Sequence, residues 1–111
     1  MTEITKNNSL EKVQEHLTAE CFNKLFIGGH FVDPIDGQKM PTYYPATGEV
    51  FHELPKGNAN DIGSAIRAAE AAWIDGAWTN MPASERGELV SCMAQGIEEN
   101  IEVLASIEAA D

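Results

Sequence analysis

The apolar positions of this chain change their period once, near Asn58. Before it they fall in short runs broken by turn formers, and after it they recur three and four residues apart, so extended pieces give way to helices. Leu25, Phe26 and Ile27 match His30, Phe31 and Val32 across Gly28-Gly29, and paired glycines accept the positive φ angles of a tight turn, which predicts a hairpin over Lys24–Val32. Asp33-Pro34 ends that unit and Asp36-Gly37 turns the chain into the next. There Met40 to Tyr44 and Val50 to Leu54 flank a turn. Pro45 presets φ and extends Tyr44, Thr47 can bond its own backbone, and Gly48 supplies a left-handed position. Three or four short strands with few local partners predict a sheet with open edges, which invite pairing with further chain.

From Asn60 the pattern is helical. Ile62, Ala65, Ile66, Ala69, Ala72 and Trp73 form one face, with Asp61, Ser64, Arg67 and Glu70 pointing away from it. Asn58 or Asn60 caps this helix, Asp61 suits its dipole, and Asp75-Gly76 stops it. Trp73 and Trp78 are expected to be buried in the join to a second helix, which begins near Pro82 and carries the stripe Leu89, Val90, Met93, Ile97. Gly87 and Gly96 weaken that helix, and imply either a close backbone approach or a bend. Asn100 stops it and caps a third segment with Ile101, Leu104 and Ile107 on its face.

At the other end, Met1 to Asn8 is polar. Asn8 and Glu11 are spaced as a capping pair, and Leu10, Val13 and Leu17 predict a short amphipathic helix to about Ala19. It lies in an extension, residues 1–23, expected to pack loosely or not at all.

Composition narrows the function classes. The net charge of −11 excludes a nucleic-acid partner held by clustered Lys and Arg, and the acids after Arg86 (Glu88, Glu98, Glu99, Glu102, Glu108, Asp111) read as solvated helix faces. No apolar run has the length of a membrane span, and the first residues lack the pattern of a signal peptide, so no membrane is expected and the cytoplasm is the expected compartment. Two cysteines, Cys21 and Cys92, are too few for a disulfide framework or a zinc site. Cys92 borders the Leu89–Ile97 stripe and is expected to be a small buried apolar residue. His16, His30 and His52 have no second ligand at metal-binding spacing, and Glu98 and Glu99 point apart on a helix. Gly28-Gly29 opens no helix and lacks the spacing of a phosphate cradle.

The wording of the turn supplies what the chemistry does not. Tyr44-Pro45-Ala46-Thr47-Gly48-Glu49 resembles the Asn-Pro-Ala-Thr-Gly-Glu signature of the NAD(P)-dependent aldehyde dehydrogenases, with Tyr44 in the place of Asn, a variant similar to that of betaine aldehyde dehydrogenases. Leu25 to Val32, the Asp61–Trp73 helix, Trp78, Ser84-Glu85-Arg86-Gly87 and Leu104-Ala105-Ser106-Ile107-Glu108 follow in the family's order, so that the resemblance covers roughly Lys24 to Asp111. It implies an α/β fold: the N-terminal part of the cofactor-binding domain, residues 24–111, with short antiparallel strands followed by two or three helices and incomplete as a domain. It further implies oxidation of an aldehyde to an acid with NAD or NADP, a catalytic cysteine and glutamate in later segments, no catalytic or cofactor-binding residue here, and an inactive chain when alone. The remainder of the enzyme chain is the implied partner, within a homo-oligomer. By the same resemblance Asp111, with the carbonyls of Thr42 and Tyr43, matches a site for a monovalent cation, K⁺ or Na⁺. The reading from another class is a small acidic protein-interaction module that docks a partner through a hairpin edge or the Ile62–Trp73 face.

Overall fold

Gly28 and Gly29 take φ values of 62° and 82°, and the turn they make pairs β1 (Leu25–Ile27) with β2 (His30–Val32) in the register read from the sequence: Leu25 with Val32, Phe26 with Phe31, Ile27 with His30. Phe26 and Phe31 lie opposite each other with ring centroids 5.1 Å apart. A second antiparallel pair, β3 (Lys39–Tyr43) and β4 (Val50–Pro55), closes through the Pro45 turn, where the Gly48 amide donates to the Tyr44 carbonyl and the Tyr44 amide to the Glu49 carbonyl. The strands form two separate two-stranded sheets instead of the single open-edged sheet expected. The computed structural model describes residues 11–111, so Asn8 and Leu10 of the predicted first helix lie outside the described residues.

Three helices follow: α3 (Ala59–Asp75), α4 (Ala83–Glu99) and α5 (Ile101–Ala110), with boundaries close to those the sequence punctuation gives. Asn58, not Asn60, caps α3. Its side chain accepts from the Asn60 and Asp61 amides at 2.8 and 3.2 Å, and Asp61 returns the favour by accepting from the Asn58 amide at 2.8 Å, a complete capping box. Asp61 does not point into solvent. It is 4% exposed, and its second oxygen accepts from the Ile35 amide, which ties α3 to the loop after β2. Gly76 ends α3 at φ 78°, as its left-handed position requires. Beyond it, the Arg86 guanidinium donates to the Met81 carbonyl and lies 6.0 Å from the centre of the Trp78 ring, fixing the join to α4.

Asp36 belongs to the same loop. It accepts from the Gln38 amide and from Asn58 Nδ2, and these bonds, the backbone one first, hold its carboxyl below the ordinary value of 3.8. A depressed folded-state value means that its contribution is present above the ordinary value and fades as the pH falls through the folded one. The Gln38 and Asn58 resonances should therefore hold steady from neutral pH to about 4 and move only below it, and Asp36→Asn should remove that acid transition. Movement at pH 5 to 6 would contradict the assignment.

The core is small and sits where the sequence reading did not put it. Val13, Leu17, Phe51 and Ala110 are its buried apolar residues, with Phe22, Tyr44 and Ile107 packed against them. The described part of the N-terminal extension, 11–23, thus docks, contrary to the expectation that it packs loosely. Its helix also ends earlier than expected: among the described residues α1 runs over 11–16, the chain turns at Leu17 to Ala19, and α2 (Glu20–Asn23) follows. Side chains that bond backbone compete with the helix there, since Thr18 Oγ1 donates to the Glu15 carbonyl and Asn23 Nδ2 to the carbonyls of Leu17 and Ala19. Lys24 pairs with Glu20 at 2.8 Å across the last turn.

By contrast, the helical faces meet little. Trp73 is 71% exposed and Trp78 48%, so neither is buried in the α3–α4 join, and Ile66, Ile74, Val90, Met93 and Ile97 are likewise open. Gly87 and Gly96 have no atom within 4 Å of where a Cβ would stand, and α4 runs unbroken through both, so among the described residues no backbone uses the space they leave. The radius of gyration is 17.9 Å. A compact domain of this length has about 13 Å. The helices extend from a small core without closing a second one.

Candidate functional site

β3 and β4 are in register from Lys39 opposite Pro55 to Thr42 opposite His52, but Tyr43 then faces Val50, so Phe51 is an extra residue in the ladder. Such a bulge disrupts the ladder and re-aims the side chains beside it. Here Phe51 enters the core, and the disruption falls at Thr42 and Tyr43, the two residues whose carbonyls were singled out. From the other side α5 ends at Asp111, whose amide donates to the Ile107 carbonyl. Thr42 Oγ1 donates to Asp111 Oδ1 across the gap. Of the three residues named from the sequence, Thr42 and Asp111 are therefore in contact, and Tyr43 follows on the same strand.

The contact lies on the wall of a groove of about 530 Å³ between the second hairpin and the helices. Phe22, Phe51, Leu54, Leu104 and Ile107 make it apolar, and its charged lining residues are Glu108 and Asp111, with no Lys or Arg. Oxygen donors and negative charge without a competing cation are the chemistry that suits a hard monovalent ion. His52 also lines the groove, and its Nε2 is buried without a hydrogen-bond partner among the described residues. The sequence reading passed over His52 as an isolated histidine. Its place opposite Thr42 follows from closing the hairpin at Pro45, but the bulge that shifts the register at Phe51 has no signal in the residue pattern.

The remaining candidates stay apart. Among the described residues no three His, Cys, Asp or Glu side chains gather as metal ligands. Cys92 is exposed, not buried, because the Leu89–Ile97 stripe beside it has no cover, and Cys21 is exposed on α2. Glu99 accepts from Gln95 Nε2 at 2.9 Å, an ordinary pair one turn apart on a helix. Gly28-Gly29 is a hairpin turn and does not open a helix, so this pair is not a cradle for a dinucleotide's phosphates. No described helix is long and apolar enough to cross a membrane.

The model of the aldehyde dehydrogenase family matches residues 31–111. Aldehyde dehydrogenase family 2 member C4 of Arabidopsis thaliana is 41% identical over 90 residues, which span 81% of this chain and 18% of that protein. The mitochondrial family 2 member B4 of the same plant is 36% identical over 107 residues, 96% of this chain and 20% of that one. Among solved structures, betaine aldehyde dehydrogenase from Staphylococcus aureus in complex with NAD⁺ superposes with a TM-score of 0.86 at 28% identity, covering 93% of this chain and 20% of that chain. Aldehyde dehydrogenase from Bacillus cereus gives 0.81 at 39% identity, with 90% and 20% covered. The chain spans about a fifth of the length of these relatives.

Proposed function

Because the chain belongs to the aldehyde dehydrogenase family, we propose that its 111 residues are the N-terminal part of an NAD(P)-dependent enzyme that oxidises an aldehyde to a carboxylic acid. The observation that carries this reading is the pairing of a fold matched over 93% of this chain with helical faces left open, Trp73 at 71% and Met93 at 70%. Large apolar residues left exposed along helix faces mark interaction sites. Their cover, in this reading, is the remainder of the cofactor-binding domain, within a homo-oligomer of the cytoplasm.

The role of these residues is scaffold. The dinucleotide, when bound, accepts the hydride, and the thiolate that attacks the aldehyde and the carboxylate that activates water belong to other segments. No step of that chemistry is assigned to this chain. Thr42 and Tyr43 through their carbonyls and Asp111 through its carboxylate would hold K⁺ or Na⁺, pinning the second hairpin to the end of α5. The bulge at Phe51 and the Thr42–Asp111 contact support that donor set.

The test is a chimera in which residues 24–111 replace the matching segment of the Staphylococcus aureus enzyme. Aldehyde-dependent NADH formation should survive in the chimera and be absent from the 111-residue chain alone. An inactive chimera that folds, or NADH formation by the pure chain, would overturn the proposal. A sharply melting monomer of the chain alone would favour the acidic interaction module instead.

A further inference from the structure

We propose that residues 11–23 are a clasp that fastens α5 to the second hairpin, with Val13 and Leu17 as positioning residues for the Thr42–Asp111 contact. The inference deepens the scaffold reading, and rests on it only for what that contact holds.

The two sides of the contact come from elements that are distant in sequence and weakly joined otherwise. α5 packs on α4, and β3 on β4, while Thr42 Oγ1 to Asp111 Oδ1 is an exposed bond 69 residues apart. An exposed hydrogen bond alone does not hold a helix end against fraying, because water replaces it at little loss. The buried cluster does hold it. Val13 from α1 and Leu17 from the turn after it, 5% and 4% exposed, sit with Phe51 of β4 and Ala110 of α5, at 8% and 4%. Phe51 is the bulge residue beside His52, which faces Thr42, and Ala110 immediately precedes Asp111. Asp111 thus directly follows Ala110, and Thr42 faces the neighbour of Phe51, both of which share a cluster with Val13 and Leu17.

The clasp is itself braced at its C-terminal end. Asn23 Nδ2 donates to the Leu17 carbonyl at 2.7 Å and the Ala19 carbonyl at 2.9 Å, which folds α2 back under the Leu17 turn, and α2 packs on β4. Leu17 and Phe22 form part of the groove wall that also carries Thr42 and Asp111. The family model's match begins at residue 31, after this segment, while the alignment to family 2 member B4 over 107 residues takes the segment in.

Hydrogen exchange of the 111-residue chain by mass spectrometry tests it with three variants. Leu17→Ala should speed exchange in 107–111 and 40–44 by about tenfold or more and leave α3 unchanged, and Leu17→Met should restore the protection. Thr42→Val should speed exchange only at 40–44 and 110–111, with 13–23 still protected. Unchanged exchange at 107–111 in Leu17→Ala, an equal rise in α3, or release of 13–23 by Thr42→Val would each overturn the clasp. Repeating the series in potassium chloride and in tetramethylammonium chloride separates the two readings: identical protection in both removes the cation while the clasp stands.

Discussion

Asp61→Ala will destabilise the joint between the first helix after the strands and the loop before it by about 1–2 kcal/mol. Asp61 is the buried charged side chain among the described residues, and both of its oxygens are used: Oδ2 accepts from the Asn58 amide at 2.8 Å and Oδ1 from the Ile35 amide at 3.1 Å. Alanine would strand two amides that have no other partner within the chain's bonding and would break half of the capping box. Loss of the cap costs about 1 kcal/mol and of a hydrogen bond from a part-buried amide about 0.5–1.5 kcal/mol, which together outweigh the small gain in helix propensity from Asp to Ala. Asp61→Asn, which retains one acceptor oxygen, should recover part of the loss. Amide exchange at Ile35 and Asn58 is the readout: both should lose protection together in the alanine variant. Loss at Asn58 alone would mean that Asp61 is only a cap, and that the loop is held through Asp36.

The sequence made that helix legible and left its anchoring hidden. Asp61 stands three residues after Asn58, the spacing of a capping box, and a polar residue on the outward side of a helical wheel reads as solvated. Its second hydrogen-bond partner is Ile35, 26 positions away, which no local pattern reports. The same division runs through the chain. Gly28-Gly29, Pro45 to Gly48 and Gly76 act on their immediate neighbours, so the hairpins and helix ends follow from the residues there. The bulge at Phe51 and the docking of Val13 and Leu17 depend on partners in the opposite strand and at Ala110. In the candidate site, Thr42, Tyr43 and Asp111 came from the resemblance, not from periodicity, and the groove with the unpartnered His52 Nε2 was not foreseen. The buried tryptophans expected at the helix join failed for a different reason: an amphipathic face states that something must cover it, without stating that the cover lies within these residues.

That uncovered face sets the second large effect. Trp73→Ala should alter the stability of the 111-residue chain by no more than about 0.5 kcal/mol, as for a surface position, because the ring is 71% exposed. Once the face is covered, the same substitution should cost about 3–5 kcal/mol, the range for a buried large aromatic residue truncated to alanine. Met93, 70% exposed on the stripe of the next helix, should behave in the same way to a smaller extent. The isolated chain should also associate with itself through these faces, and Trp73→Ala should weaken that association. The most direct measurement is therefore the shift in unfolding midpoint produced by Trp73→Ala in two settings: the 111-residue chain, and the chimera with the Staphylococcus aureus enzyme. A negligible shift in the chain and a large one in the chimera is the predicted result, and equal shifts in both would contradict the claim that these helices are faces of a larger enzyme.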